Sequence, residues 1–262
     1  YSDEIMTGLL IPSRLEKRLY KIFLSRTHIE NPYSADKQKA NKKVSNFLNS
    51  ERFKKALNRM DKSLESRPDL SLSQLKDAIQ EIEFKRLLTL LAHDHLWTSE
   101  AGIPPLTTIK TIFKTPVKGS GIDLLLRMMK GKEKKILWLT DESGGVVVDL
   151  AIAQFLADLG HIVILAVKEK PFFKKVCLAD TRTDPVLMNA FENAHFIHDR
   201  TISKNNLVKL LKHDKHLYVV SDGTSESTNL LLMSTTFSRI FKEVDCVISR
   251  GPTQKRRLID TH

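Results

Sequence analysis

The stretch of residues 137–149 reads LWLTDESGGVVVD. An apolar run typical of a buried strand ends near Thr140, two carboxylates follow at Asp141 and Glu142, and two glycines precede a helical pattern. Open α/β sheets bind their ligands at the carboxyl ends of the strands. We therefore expect an α/β fold with a ligand site at this turn. The adjacent carboxylates favour a metal-assisted site over a purely structural core.

Beyond residue 115 the alternation of strand and helix continues. Short apolar runs predict strands at residues 136–140, 161–167, 194–197, 217–221 and 244–249. Helical spacing predicts helices at residues 150–159, 187–193, 207–211 and 237–241. Because crossovers between parallel strands are right-handed, we expect a Rossmann-like three-layer α/β/α domain. Its mostly parallel sheet would have the carboxyl ends of its strands along one edge.

The first 115 residues predict helices only. Ser71 and Gln74 have the spacing of a capping box, and apolar residues then recur with helical spacing as far as Leu91. An exposed helix is predicted over residues 37–47, and Pro104-Pro105 marks a break. We therefore divide the chain into an N-terminal helical bundle, residues 1–115, and an α/β metal-binding domain, residues 116–262.

The composition is that of an ordinary globular protein, with 41% hydrophobic and 28% charged residues in a chain of 262. No apolar run reaches about 18 residues, so no membrane-spanning helix is expected. The two cysteines, Cys177 and Cys246, give neither a disulfide scaffold nor zinc-ligand spacing, which favours a reducing, cytoplasmic location. The net charge of +11 suits an anionic ligand or an acidic protein partner. The lysines are spread along the chain, which favours solvated faces over nucleic-acid binding.

Carboxylates follow the first two predicted strands of the C-terminal region. Asp141 and Glu142 offer the hard oxygen ligands that magnesium and manganese prefer, and Asp180 is a candidate third ligand. A structural interpretation is also open. In that case Asp141 caps the helix after the turn, and Asp180 or Thr183 caps the helix beyond Pro185.

Other residues at the same edge are suited to phosphate. Gly144 and Gly145 let the backbone approach an anion closely, and the helix after them presents its N-terminus. Arg250, at the end of the last strand, can bind a phosphate through two hydrogen bonds. Asp222-Gly223 can hold an oxyanion or form an ordinary turn. The basic run Lys255-Arg256-Arg257 fits a solvated surface or a contact for an acidic partner.

Five segments match the pattern of one protein family in the same order. They are Asn31-Pro32-Tyr33 with Lys37 and Asn41, Asp141-Glu142-Ser143-Gly144, Lys168-Glu169-Lys170-Pro171, Ala179-Asp180-Thr181, and residues 250–258 from Arg250 to Leu258. In these segments the chain resembles the metal-dependent damage-control phosphatases, a family that includes carbohydrate phosphatases once proposed as protein-glutamate methyltransferases.

The resemblance implies a phosphoric monoester hydrolase that acts on a small phosphorylated metabolite such as a sugar phosphate. It implies a divalent ion (Mn, Co, Ni or Mg) held by Asp141, Glu142 and Asp180. The catalytic residues would be Asp141, Asp180 and Arg250. The phosphate would be bound by a wider set of residues: Gly144, Gly145, Lys168, Asp222, Gly223 and Arg250.

The chain departs from the family pattern at several of these positions. Glu142 replaces a neutral amide, Arg250 replaces a lysine and Pro252 replaces an acidic residue. An ungapped match would also place Lys174-Lys175 where other members have Asn-Asp, and the third ligand would then be absent. A second function therefore stays open: a catalytically degenerate protein on the phosphatase fold that binds an anionic ligand or an acidic protein partner.

Overall fold

The computed structural model describes residues 12–58, 69–97, 102–115, 121–212, 215–226 and 230–250, together with Gln254. Its α-helices are α1 (Pro12–Thr27), α2 (Ser34–Leu48), α3 (Glu51–Leu57), α4 (Leu72–Ala92), α5 (Leu106–Lys114), α6 (Ile122–Met129), α7 (Gly145–Asp158), α8 (Asp180–Thr183), α9 (Pro185–Ala190), α10 (Lys204–Leu210) and α11 (Thr235–Glu243). Its strands are β1 (Lys135–Leu139), β2 (Ile162–Val167), β3 (His195–Ile197), β4 (Leu217–Ser221) and β5 (Cys246–Ser249). The predicted strands and helices of the C-terminal region are therefore confirmed.

The five strands form one parallel sheet in the order β3-β4-β2-β1-β5. Alternate residues of each strand enter two separate cores, because successive side chains of a strand point to opposite faces. Ile136 and Trp138 of β1 pack into the core on one face, whereas Leu137 and Leu139 pack into the core on the other. The predicted three-layer α/β/α architecture is confirmed, and the sheet is parallel throughout.

The predicted capping box at the start of α4 is also confirmed. The Ser71 hydroxyl accepts a hydrogen bond from the amide of Gln74, and the Gln74 side chain accepts one from the amide of Ser71, which completes the capping box. Gly160 follows α7 with a φ of +90°, a left-handed conformation that glycine adopts at low cost.

The prediction that residues 37–47 form an exposed helix is half wrong. The helix is present as part of α2, but one of its faces is buried, with Lys37 2% exposed and Asn41 0% exposed. Val44 and Phe47 continue that face into the larger core. A lysine and an asparagine read as solvent-facing in a sequence pattern, and they are buried here because each has a carboxylate partner in the C-terminal region.

The N-terminal helices pack on the sheet through α7. Both α2 and α4 contact α7, and the ring of Phe84 in α4 stacks on Phe155 in α7 at 5.6 Å between centroids. One hydrophobic core runs from Val44 and Phe53 to Trp138 in β1. The division of the chain at residues 115 and 116 stays a prediction. Among the helices in the described ranges, none has the length and apolar character needed to cross a bilayer.

Candidate active site

The turn between β1 and α7 packs closely against the N-terminal helical region. Gly144 has a φ of +85°, and a Cβ at this position would lie 1.8 Å from the carbonyl oxygen of Trp97. Only glycine fits such a conformation at such a close approach. The amide of Gly144 donates to Oδ1 of Asn41 at 2.6 Å, and Nδ2 of Asn41 donates to Oδ2 of Asp184 at 2.7 Å. Asn41 therefore connects the turn to the segment that follows β2.

Asp141 lies at the carboxyl end of β1 with a lysine against it. The side chain of Asp141 is 11% exposed, and its Oδ1 accepts a hydrogen bond from the ammonium of Lys175. The same ammonium is 3.6 Å from Oε1 of Glu142, whose side chain is 48% exposed. The two adjacent carboxylates therefore share one ammonium, and the chain itself supplies this cation.

Asp180 has a different set of partners. Its Oδ2 accepts from the ammonium of Lys37 at 2.8 Å and from the amide of Cys177 at 2.9 Å, and its Oδ1 accepts from Nδ2 of Asn31 at 3.0 Å. The residue is 3% exposed. The helix beyond Pro185 is capped by Asp184, whose Oδ1 accepts from the amides of two residues of α9. Neither Asp180 nor Thr183 is that cap, so the alternative interpretation of Asp180 as the cap is wrong.

Lys168 and Asp222 form a third buried pair, after β2 and β4. The ammonium of Lys168 donates to Oδ2 of Asp222 at 2.6 Å and to the hydroxyl of Thr224 at 3.2 Å. Gly223, between Asp222 and Thr224 in the chain, has a φ of +82°. Lys168 and Asp222 also line a cavity of about 10 Å³ with Thr140 and Gln254, which is room for about one water molecule.

Arg250 forms the fourth pair, with a residue that the sequence did not single out. Its Nε and one terminal nitrogen donate to the two carboxylate oxygens of Asp149, each at 3.2 Å. Burial raises the pKa of the Asp149 carboxyl above its ordinary value, while the charge and hydrogen bonds of Arg250 act to lower it. A Cβ at Gly145 would lie 2.4 Å from the guanidinium, so the second glycine of the turn leaves space for Arg250.

The fit of these residues to a metal ion follows from their partners. In the described part of the chain, no group of three or more His, Cys, Asp or Glu side chains is placed to share one ion. Asp180 has both oxygens hydrogen-bonded within its own cluster, and Asp141 has an ammonium in contact. As arranged, the donor set of Asp141, Glu142 and Asp180 does not fit a divalent ion. The metal and catalytic roles assigned to these residues stay predictions.

Three residues of the site were missed as partners by the sequence reasoning: Asp149, Asp184 and Thr224. Asp149 gives the clearest signal in hindsight, since it is a charged residue in the otherwise apolar first turns of α7, where residues 145–150 are all buried. A charge at such a position needs a cation from elsewhere in the fold. The basic run at residues 255–257, which was expected on the surface, lies outside the described residues.

The same arrangement of strands and helices is found in a solved structure. The crystal structure of a DUF89 family protein from Pyrococcus horikoshii superposes with a TM-score of 0.58 and 16% sequence identity, over 91% of this chain and 67% of that protein. At this identity the likeness concerns the fold. The profile of the damage-control phosphatase ARMT1-like domain matches residues 2–262. The chain belongs to this family. No curated protein matches the chain.

Membership of the damage-control phosphatase family supports a phosphatase-type function for the chain. It also supports a small phosphorylated compound as the class of substrate. Parallel sheets bind ligands at the carboxyl ends of their strands. Two carboxylates, Asp141 and Glu142, and three cations, Lys168, Lys175 and Arg250, lie at that edge here.

Proposed function

We propose that this damage-control phosphatase domain binds a small phosphorylated metabolite at the carboxyl edge of β1 and hydrolyses its phosphate ester. The observation that carries the proposal is the pairing of Asp141 with Lys175 at the end of β1, next to the start of α7. A carboxylate and an ammonium in contact at that edge offer a base for water and a cation for a phosphate oxygen.

Of the three cations at this edge of the sheet, Lys175 is the best placed to contact a ligand. Its side chain is 16% exposed, compared with 8% for Lys168 and 8% for Arg250, both of which are held by buried carboxylates. The hydroxyl of Ser143, two residues after Asp141 in the chain, is also buried without a hydrogen-bond partner among the described residues. A phosphate oxygen at the turn would satisfy this hydroxyl.

In this proposal each group has a separate role. Lys175 binds a non-bridging oxygen of the phosphate and reduces its negative charge, and the N-terminus of α7 favours the same anion. Once Lys175 moves towards the phosphate, Asp141 is able to orient a water molecule and accept its proton as the water oxygen bonds to phosphorus. The proton then passes to the departing ester oxygen as the original P–O bond breaks. Arg250 is held by Asp149 and fixes the end of β5 next to β1.

The test is hydrolysis of p-nitrophenyl phosphate and a panel of sugar phosphates, after chelation and with added manganese, cobalt, nickel or magnesium. We expect turnover in the wild type and a loss of at least roughly a hundredfold in Asp141→Asn, the usual scale for removal of a general base. Asp123→Asn is the matched control, because Asp123 is exposed on α6 and belongs to none of the four ion pairs described above. Equal activity in Asp141→Asn and the control would contradict the proposal.

A non-catalytic binding protein is the second candidate. It is favoured by a specific observation: lysines neutralise both Asp141 and Asp180, the two carboxylates expected to work in catalysis. Saturable binding of a sugar phosphate by calorimetry, with no turnover under any of the metal conditions, would support this candidate over the phosphatase. Metal identity, substrate, any acidic protein partner and a cytoplasmic location stay predictions.

A further inference from the structure

The backbone fixes Lys175 beside the two adjacent carboxylates. The amide of Ser143 donates to the carbonyl of Lys174 at 3.0 Å, and the amide of Val176 donates to the carbonyl of Asp141 at 3.2 Å. Glu142 and Lys175 are therefore partners in a short antiparallel bridge. Cα atoms of such partners are about 4.5–5.5 Å apart. Any side chain at position 175 starts directly opposite Glu142.

The ammonium of Lys175 lies where a cation shared by both carboxylates would lie. It contacts Oδ1 of Asp141 and is 3.6 Å from Oε1 of Glu142. With 16% of its side chain exposed, the lysine is partly shielded from water, so its charge is weakly screened. A divalent ion brought to the same oxygens would be repelled by this charge at short range.

We propose that Lys175 is a built-in cation that takes the place of a divalent metal ion at Asp141 and Glu142. The anionic ligand then meets an ammonium at this edge, and its binding needs no metal. The identity of the ligand rests on the proposed function, but the replacement of the metal does not. It is tested in the absence of any substrate, so failure of the phosphatase assay and failure of this inference give different results.

The experiment is a calorimetric titration of the chelator-treated protein with manganese chloride, at low ionic strength. Three proteins are compared: the wild type, Lys175→Asp and Lys174→Asp. Lys175→Asp removes the ammonium and adds a third carboxylate opposite Glu142. Lys174→Asp makes the same change in charge one residue away and keeps the backbone carbonyl that accepts from Ser143. Circular dichroism confirms that each variant is folded.

We expect no saturable manganese binding by the wild type or Lys174→Asp, and saturable binding of one ion by Lys175→Asp. Its dissociation constant should be at least about tenfold below the highest manganese concentration at which the other two proteins show no binding, which corresponds to about 1.4 kcal/mol or more. If Lys175→Asp does not fold, Lys175→Met removes the ammonium alone and is expected to bind manganese more tightly than the wild type. The inference is overturned if the wild type binds one manganese ion and Asp141→Asn abolishes this binding. It is also overturned if no change at position 175 improves binding over Lys174→Asp.

Discussion

Replacing Arg250 by methionine would leave the carboxylate of Asp149 buried without its cation. Asp149 is 0% exposed, the side chain of Arg250 is 8% exposed, and two hydrogen bonds of 3.2 Å join them. Removal of one partner from a buried ion pair costs about 3–5 kcal/mol. We expect about 3 kcal/mol at pH 7, because methionine fills part of the space left by the arginine stem. For a protein of this size that is a fall in Tm of roughly 6–12 °C.

The loss should depend on pH in a defined direction. Burial already raises the pKa of Asp149 above its ordinary value, and loss of Arg250 removes its charge and its hydrogen bonds, which act to lower that pKa. A carboxyl group whose pKa is higher in the folded state than in the unfolded state adds to the free energy of unfolding at low pH. That contribution is complete below the unfolded-state pKa and is lost as the pH rises through the folded-state pKa. The deficit of Arg250→Met should therefore shrink as the pH falls from 7 towards the ordinary range of a carboxyl group, as Asp149 takes up a proton.

The assay is urea unfolding followed by fluorescence. Trp97 and Trp138 are the two tryptophans of the chain and are 2% and 0% exposed, so both report on the core. Asp149→Asn/Arg250→Met is the matched variant, since it removes the buried charge as well as its partner. We expect it to recover about half of the loss and to lack the pH dependence. A loss below about 1 kcal/mol in Arg250→Met, or the same loss in both variants, would refute the reasoning.

Two further predictions concern the turn and the thiol near it. Gly144→Ala should cost at least about 3 kcal/mol by urea unfolding, because its Cβ would meet the backbone oxygen of Trp97 at 1.8 Å. Gly160→Ala has a similar φ and nothing within 4 Å, so it should cost only about 1–2 kcal/mol, and equal losses would mean the close approach is unimportant. Burial raises the pKa of Cys177 to about 11, so mass spectrometry after iodoacetamide treatment at pH 8 should find it unmodified until urea is added.

The fold follows from local patterns that a sequence displays directly. The strands of the sheet are short and almost wholly apolar, as expected for parallel strands covered on both faces, and helical spacing separates them. The continuous apolar runs that include Leu137 and Ile162, with helical spacing between them, are sufficient to place β1, α7 and β2. Order along the chain and the right-handed crossover rule then limit the topology to few choices.

The partners within the site do not follow from local patterns. Lys37 and Asp180 are 143 residues apart in the chain, and Asp149 and Arg250 are 101 apart. A sequence shows that charged residues are present, but the pairing of distant charges is decided by packing. Lys37 shows the difference most clearly, because its helix was expected to face solvent and instead directs this lysine to a buried carboxylate. Candidate metal ligands were therefore easier to name than the lysines that neutralise them.

The four ion pairs at this edge of the sheet differ in how readily they can change partners. The pairs of Asp180 with Lys37 and of Asp149 with Arg250 are almost entirely buried, and separation of either would leave a charge unpaired in the interior. Lys175 is more exposed than the cations of the other three pairs, and its ammonium is also 3.6 Å from Oε1 of the half-exposed Glu142. Of the four cations, Lys175 can therefore most readily leave its carboxylate partner to bind an anion that approaches this edge. The three more deeply buried pairs keep their partners while that exchange occurs, so Lys175 is the one cation of these four that is able to respond to a ligand.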